Sequence, residues 1–151
     1  MGKIEVVIDI DAPVEKVFAV FTDFAKVDQR VDGIKKLELL TSGPIGEGTQ
    51  FRETRVMMGK EATEEMEITD FQPNESYRVE AESCGVHYTT DYQFLPNEES
   101  TNVSMAFDGE PVTFAAKLLS PAMLLMAKTL KKCLEDDLAC LKRVAESDDD
   151  T

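Results

Sequence analysis

Thr113–Glu146 reads TFAAKLLSPAMLLMAKTLKKCLEDDLACLKRVAE, with no Gly and a single Pro. Leu119, Met123, Met126, Leu130, Leu134, Leu138, Leu141 and Val144 recur at helical spacing and trace one apolar stripe. Lys131, Lys132, Glu135, Asp136, Lys142 and Arg143 take the other side. Pro121 lacks an N–H, so a break or kink is expected near Leu118–Ser120. A short helical piece should precede it and a long one follow, about 25 residues and about 35 Å at the usual rise. A stripe of that length must be buried against another element.

The partner lies upstream. Lys36–Thr41, Gln50–Met58, Ala62–Phe71, Ser76–Cys84, Val86–Leu95 and Thr101–Asp108 are short segments rich in β-formers. Turn signals separate them: Gly46-Glu47-Gly48, Gly59-Lys60, Gln72-Pro73-Asn74, Gly85 and Pro96-Asn97-Glu98-Glu99. Links this short imply an antiparallel meander. Before them, Lys3–Ile10 puts Ile4, Val6, Ile8 and Ile10 on one face, which is a further strand. Val14, Val17, Phe18 and Phe21 then mark a short helix, with Asp11 expected as N-cap and Pro13 in its first turn. Phe24–Arg30 reads as a second short helix closed by Asp32-Gly33. The expected class is α+β: a seven-stranded curved antiparallel sheet wrapped around the C-terminal helix, with two short helices between strands 1 and 2. Residues 1–146 form one domain and 147–151 (SDDDT) an acidic, frayed tail.

Charge narrows the partners. Thirty acidic residues against 16 basic ones give a net charge of −14. That opposes the electrostatic route to nucleic acid or an anionic membrane surface. No apolar run reaches the ~18 residues of a membrane span, so no stable membrane insertion is expected. Three cysteines, Cys84, Cys133 and Cys140, form no CxxC pair and read as thiols of a cytoplasmic protein. One histidine and scattered cysteines argue against a metal site. GxGxxG, GxxxxGK[ST] and GxSxG are all absent, so no cofactor is expected. A sheet and a rod do not fit flush along their length, which leaves space for a ligand between them.

The two-residue period assigns faces to that space. Val86, Tyr88, Thr90, Tyr92 and Phe94 form an apolar and aromatic inner face, opposite His87, Thr89, Asp91 and Gln93. Tyr77, Val79, Ala81 and Ser83 point in from one neighbour; Val103, Met105 and Phe107 from another; Met66 and Ile68 from a third, with a bulge expected near Asp70. Gln50–Met58 is ambiguous. Phe51 and Met57 bracket one face, so it leans inward and carries Glu53 and Arg55 with it. There the pair would anchor a ligand's head group; the plainer alternative is an ion pair on the open face of the sheet. His87 reads as a solvated surface residue rather than a general base. The expected ligand-binding residues are Phe51, Glu53, Arg55, Met66, Ile68, Tyr77, Val79, Tyr88, Thr90, Tyr92, Met105 and Phe107, with Leu118, Ala122 and Met126 from the helix. No catalytic residue is assigned.

Three stretches carry a family resemblance: IDAPVEKVFAVFTDF (Ile10–Phe24), GPIGEGTQF (Gly43–Phe51) and EITDFQPNESY (Glu67–Tyr77). LKRVAE (Leu141–Glu146) closes the long helix. With these motifs the chain resembles the START/birch-pollen-allergen-like (SRPBCC) superfamily, and within it the polyketide cyclase/dehydrase-like group. The family often carries a Trp near the second short helix, where this chain has Asp28-Gln29-Arg30. The resemblance implies the helix-grip fold and a small hydrophobic or amphipathic ligand (a lipid, quinone or polyketide-like molecule) between sheet and helix. A ligand carrier is the first expectation and a polyketide cyclase or dehydratase the alternative; a helix-grip interaction module is a third. The chain is expected to be a monomer or homodimer.

Overall fold

The computed structural model describes residues 3–57, 59–83, 85–113 and 127–147, with the Met57 side chain left aside. Strand β1 (Lys3–Ile10) leads into α1 (Val14–Thr22) and α2 (Val27–Arg30). Six strands follow: β2 (Ile34–Leu39), β3 (Gln50–Met57), β4 (Lys60–Gln72), β5 (Ser76–Ser83), β6 (Val86–Asn97) and β7 (Ser100–Pro111). Helix α3 (Ala127–Glu146) is the last element. The sheet has seven strands in the order β1-β7-β6-β5-β4-β3-β2, all antiparallel. β2 to β7 are thus a meander, and β1 adds to its far side, with Val6 opposite Met105. The curved sheet, the two short helices and the long C-terminal helix are the helix-grip fold expected from the sequence. The Pro121 kink and the piece before it fall outside the described residues.

Several boundaries move, each for a local reason. α1 starts at Val14, and Pro13 is its N-cap with an extended ψ of 154° and no side-chain cap. Asp11 stands two residues before the N-cap position and does not cap the helix; its backbone N–H donates to Glu146 Oε2 at 2.8 Å. β2 runs over Ile34–Leu39, two residues earlier than expected. The Val56 N–H already bonds the Gly33 carbonyl at 3.0 Å, and the Thr41 hydroxyl accepts from the Gln50 N–H at 3.1 Å, which ends the ladder. β7 continues through Gly109 to Pro111. Tyr88 lies directly across from Gly109 and supplies the bulk that a strand glycine lacks. The bulge expected near Asp70 is present between Ile68 and Asp70.

The core forms where inward faces meet helices. α1 buries Val17, Phe18, Val20 and Phe21. Phe18 meets Phe71, Tyr77 and Phe94 edge-on, with ring centroids 5.4, 5.9 and 5.0 Å away. Phe21 meets Phe94 at 5.2 Å. Edge-to-face rings at these spacings fill volume with favourable quadrupole contacts. α3 lies on β1 and against α1 and α2, burying Leu134, Leu138, Cys140, Leu141 and Ala145. Lys142 Nζ donates to the Asp9 carbonyl at 2.6 Å and Lys16 Nζ to the Ser147 carbonyl at 2.7 Å, fastening the helix end to the β1–α1 junction.

Candidate functional site

Between α3 and the curved sheet lies a cavity of about 500 Å³. Its sheet wall follows from register. The inward positions are 51, 53 and 55 on β3; 62, 64 and 66 on β4; 77, 79 and 81 on β5; 88, 90 and 92 on β6; and 105, 107 and 109 on β7. Antiparallel pairing aligns them into rows such as Met66–Ala81–Tyr88–Gly109 and Val79–Thr90–Phe107. Ala62, Ala81, Thr90 and Gly109 are too small to reach the helix, so the space above them stays open. Leu130, Leu134, Leu138 and Leu141 form the helix wall, and Phe24, Val27, Val31, Ile34 and Leu37 close one side. Asp28 Oδ2 accepts the Leu37 N–H at 3.3 Å and so ties α2 to β2.

Among the expected ligand-binding residues, Phe51, Glu53, Arg55, Met66, Tyr77 and Val79 face the cavity. So do Tyr88, Thr90, Tyr92, Met105 and Phe107. Ile68 does not: although it pairs with Val79, its side chain is fully buried in the core, and its N–H donates to the Thr49 carbonyl at 2.9 Å. Leu118, Ala122 and Met126 lie outside the described residues. His87 sits on the outer face, with Nε2 2.8 Å from Glu80 Oε1.

The cavity is mostly apolar, and its buried charges gather in one patch. Arg55 reaches from β3 to α3 and donates through Nη1 and Nη2 to both oxygens of Asp137, at 3.1 and 2.7 Å. Its Nε lies 3.6 Å from Glu53 Oε2. These side chains are only 17, 14 and 13% exposed for Arg55, Glu53 and Asp137. The pair on β3 is thus an interior cluster rather than a surface ion pair. Gly33 permits the approach: a Cβ there would stand 3.2 Å from Arg55 Nη1 and 3.6 Å from Asp137 Oδ1. Glu64, directly opposite Glu53 on β4, also faces the cavity.

Burial and charge tune this patch. Desolvation raises the Glu53 carboxyl above the ordinary carboxylate range, and Arg55 only partly opposes it. Asp137 is likewise raised by burial, against the pull of Arg55. Burial works against the Arg55 charge, but the Asp137 bonds and the Glu53 carboxylate outweigh it and raise its pKa, so the guanidinium stays protonated. The Tyr92 hydroxyl is raised by burial first and then by Asp137 and Glu53, so it remains a neutral hydrogen-bond donor at ordinary pH. Tyr92 stacks on Tyr77 with ring centroids 4.5 Å apart. The arrangement offers an apolar body site with a polar end made of Glu53, Arg55, Asp137 and Tyr92.

Asp137 is the site residue that sequence reading missed. Its signal was periodic: with Leu130, Leu134 and Leu141 it falls on the apolar stripe, where a carboxylate is out of place unless paired. Among the described residues no group of three His, Cys, Asp or Glu could hold a metal ion, and no helix is long and apolar enough to cross a membrane.

A family model described as polyketide cyclase/dehydrase and lipid transport matches residues 1–146. No curated protein matches by sequence. Solved structures share the fold at low identity. A protein from Thermus thermophilus is 22% identical with a TM-score of 0.77, covering 94% of this chain and 95% of its own. The ZhuI aromatase/cyclase from a Streptomyces species is 16% identical with a TM-score of 0.82, covering 96 and 93%. A START superfamily protein from Mycobacterium smegmatis is 17% identical with a TM-score of 0.76, covering 95 and 97%.

Proposed function

This chain belongs to the polyketide cyclase/dehydrase and lipid transport family, and from that premise we propose that it binds a small, mostly apolar molecule between sheet and α3. The ligand's body lies against Phe24, Met66, Val79, Tyr88 and Phe107, and its polar end meets Glu53, Arg55, Asp137 and Tyr92. The observation that carries this reading is the hollow over Ala81, Thr90 and Gly109, which shares one cavity with a buried ionic cluster. A cavity of that size suits a ligand of drug or lipid-chain dimensions. Desolvation of the ligand's apolar body supplies the affinity, at about 25 cal/mol per Å² buried, and the polar patch sets its orientation.

The test is a titration with the neutral fluorophore N-phenylnaphthylamine. The protein should bind one molecule saturably, and Ala81→Trp, which fills the hollow row, should weaken binding at least about tenfold with the fold intact by circular dichroism. Absence of saturable binding, or an unaffected Ala81→Trp protein, would sink the reading.

One observation favours an enzymic variant of it. A carboxyl raised by burial, beside a guanidinium and a phenol, is a stronger base than an ordinary carboxylate and is placed to exchange a proton with a bound carbonyl compound. A cyclase or dehydratase acting on a poly-β-ketone chain would use Glu53 in this way. Glu53→Gln should then abolish turnover of such a chain while ligand binding persists.

A further inference from the structure

We propose that the polar end of the cavity selects by charge: it accepts a head group that is a neutral or cationic hydrogen-bond donor, such as an alcohol, phenol or amine, and rejects carboxylates and phosphates. This deepens the ligand-binding reading above and rests on it.

The charge count comes first. Among the described residues the cavity wall carries three carboxylates, Glu53, Glu64 and Asp137, and one guanidinium, Arg55. Lys3 also touches the cavity, but it is exposed on β1, at the opposite end of the strand order from β2 and β3. Near Arg55, acceptors therefore outnumber cationic donors.

The guanidinium is also already committed. Both of its terminal nitrogens serve Asp137, at 3.1 and 2.7 Å, and its Nε faces Glu53 at 3.6 Å. The Nη1 side is covered by Gly33, where even a methyl group would come within 3.2 Å. An incoming carboxylate that took the bidentate Nη1/Nη2 face would displace Asp137 and leave that charge buried without its partner, which is strongly unfavourable. Alternatively it would lie beside Glu53 and Glu64, where like charges repel in a poorly screened interior. A hydroxyl or ammonium meets the opposite situation. The Glu53 and Asp137 oxygens accept from it, and the Arg55–Asp137 bonds stay intact. Asp137 is in this account a specificity-determining residue.

A matched series separates the cases: hydroxymethyl-, aminomethyl- and carboxy-anthracene share one fluorescent tricyclic body and differ only in head charge. Each is titrated against the whole protein near neutral pH. The hydroxymethyl and aminomethyl compounds should bind saturably and the carboxylate at least about 30-fold more weakly. Asp137→Asn, which frees Arg55 without removing volume, should recover most of that difference. Glu53→Gln, which removes the neighbouring charge, gives a second route to the same recovery if the first variant folds poorly. Equal or tighter binding of the carboxylate would overturn the charge selection and leave the ligand-binding reading standing. Carboxylate binding that stays weak in both variants would also overturn it, since these side chains would then not be its source. Failure of all three compounds to bind would overturn the ligand-binding reading itself.

Discussion

The same sheet makes two kinds of interior. Toward α1 it is solid: Phe18, Phe71 and Phe94 interlock edge-on and leave no room. Toward α3 it is hollow: the inward positions fall to Ala62, Ala81, Thr90 and Gly109, and the buried ionic cluster sits there. Strand geometry is common to both ends, so side-chain volume alone decides which becomes core and which becomes site. Large rings opposite a helix make packing; small residues opposite a helix make a container.

The largest test of that contrast is truncation at each end. Phe94→Ala removes a ring touching Phe18, Phe21 and Tyr77 and should cost about 4 kcal/mol in chemical denaturation. Met66→Ala, on the cavity wall, should cost only about 1 kcal/mol, because part of that side chain already lacks neighbours. Equal losses would erase the distinction. Next comes the ionic cluster, where the hollow end is as demanding as the packed one. Asp137→Ala strands Arg55 and should cost about 3 kcal/mol. The triple change Glu53→Gln, Arg55→Met and Asp137→Leu should regain most of that, since no member of the cluster is then left as a buried, unpaired charge. A triple variant as weak as the single one would show that the cluster itself, and not the abandoned charge, carries the stability.

The smallest effect is in pH. Glu53 titrates above its ordinary 4.5 in the folded protein, so the folded state holds the proton longer than the unfolded chain. Stability from this group is present below 4.5 and is lost as pH rises through the raised folded value. Glu53→Gln removes that loss. Its melting temperature relative to the unaltered protein should therefore climb by a few degrees over that window. A difference that stays flat across the window would show that Glu53 is not desolvated.

Much of this was legible in sequence because it is local. Alternation along Val86–Phe94 and Ser76–Ser83 assigned inward faces, and Gly85 and Pro73-Asn74 marked turns whose geometry depends on few neighbours. The phase of Gln50–Met58 was legible only through Phe51 and Met57, since charged residues stand on both faces. Ile68 shows the limit: alternation says which side a residue faces, but whether that side meets space or packing depends on a loop near Thr49 that no periodicity reports. The partnership of Arg55 with Asp137 lies further still from local reading. It joins a strand to a helix 82 residues away, and it needs Gly33, a third segment, to make room.

The pairing of β1 with β7 has a kinetic consequence. Ile10 must wait for Thr101, and Lys3 for Asp108, before either edge acquires its hydrogen bonds. Closing so long a loop is entropically expensive and is rewarded only when α3 also docks on β1. The meander from β2 to β7 can zip up hairpin by hairpin, whereas the opening strand stays an unsatisfied ribbon until late. Its exposed Val7 makes that interval the moment of greatest exposure to mispairing with another chain.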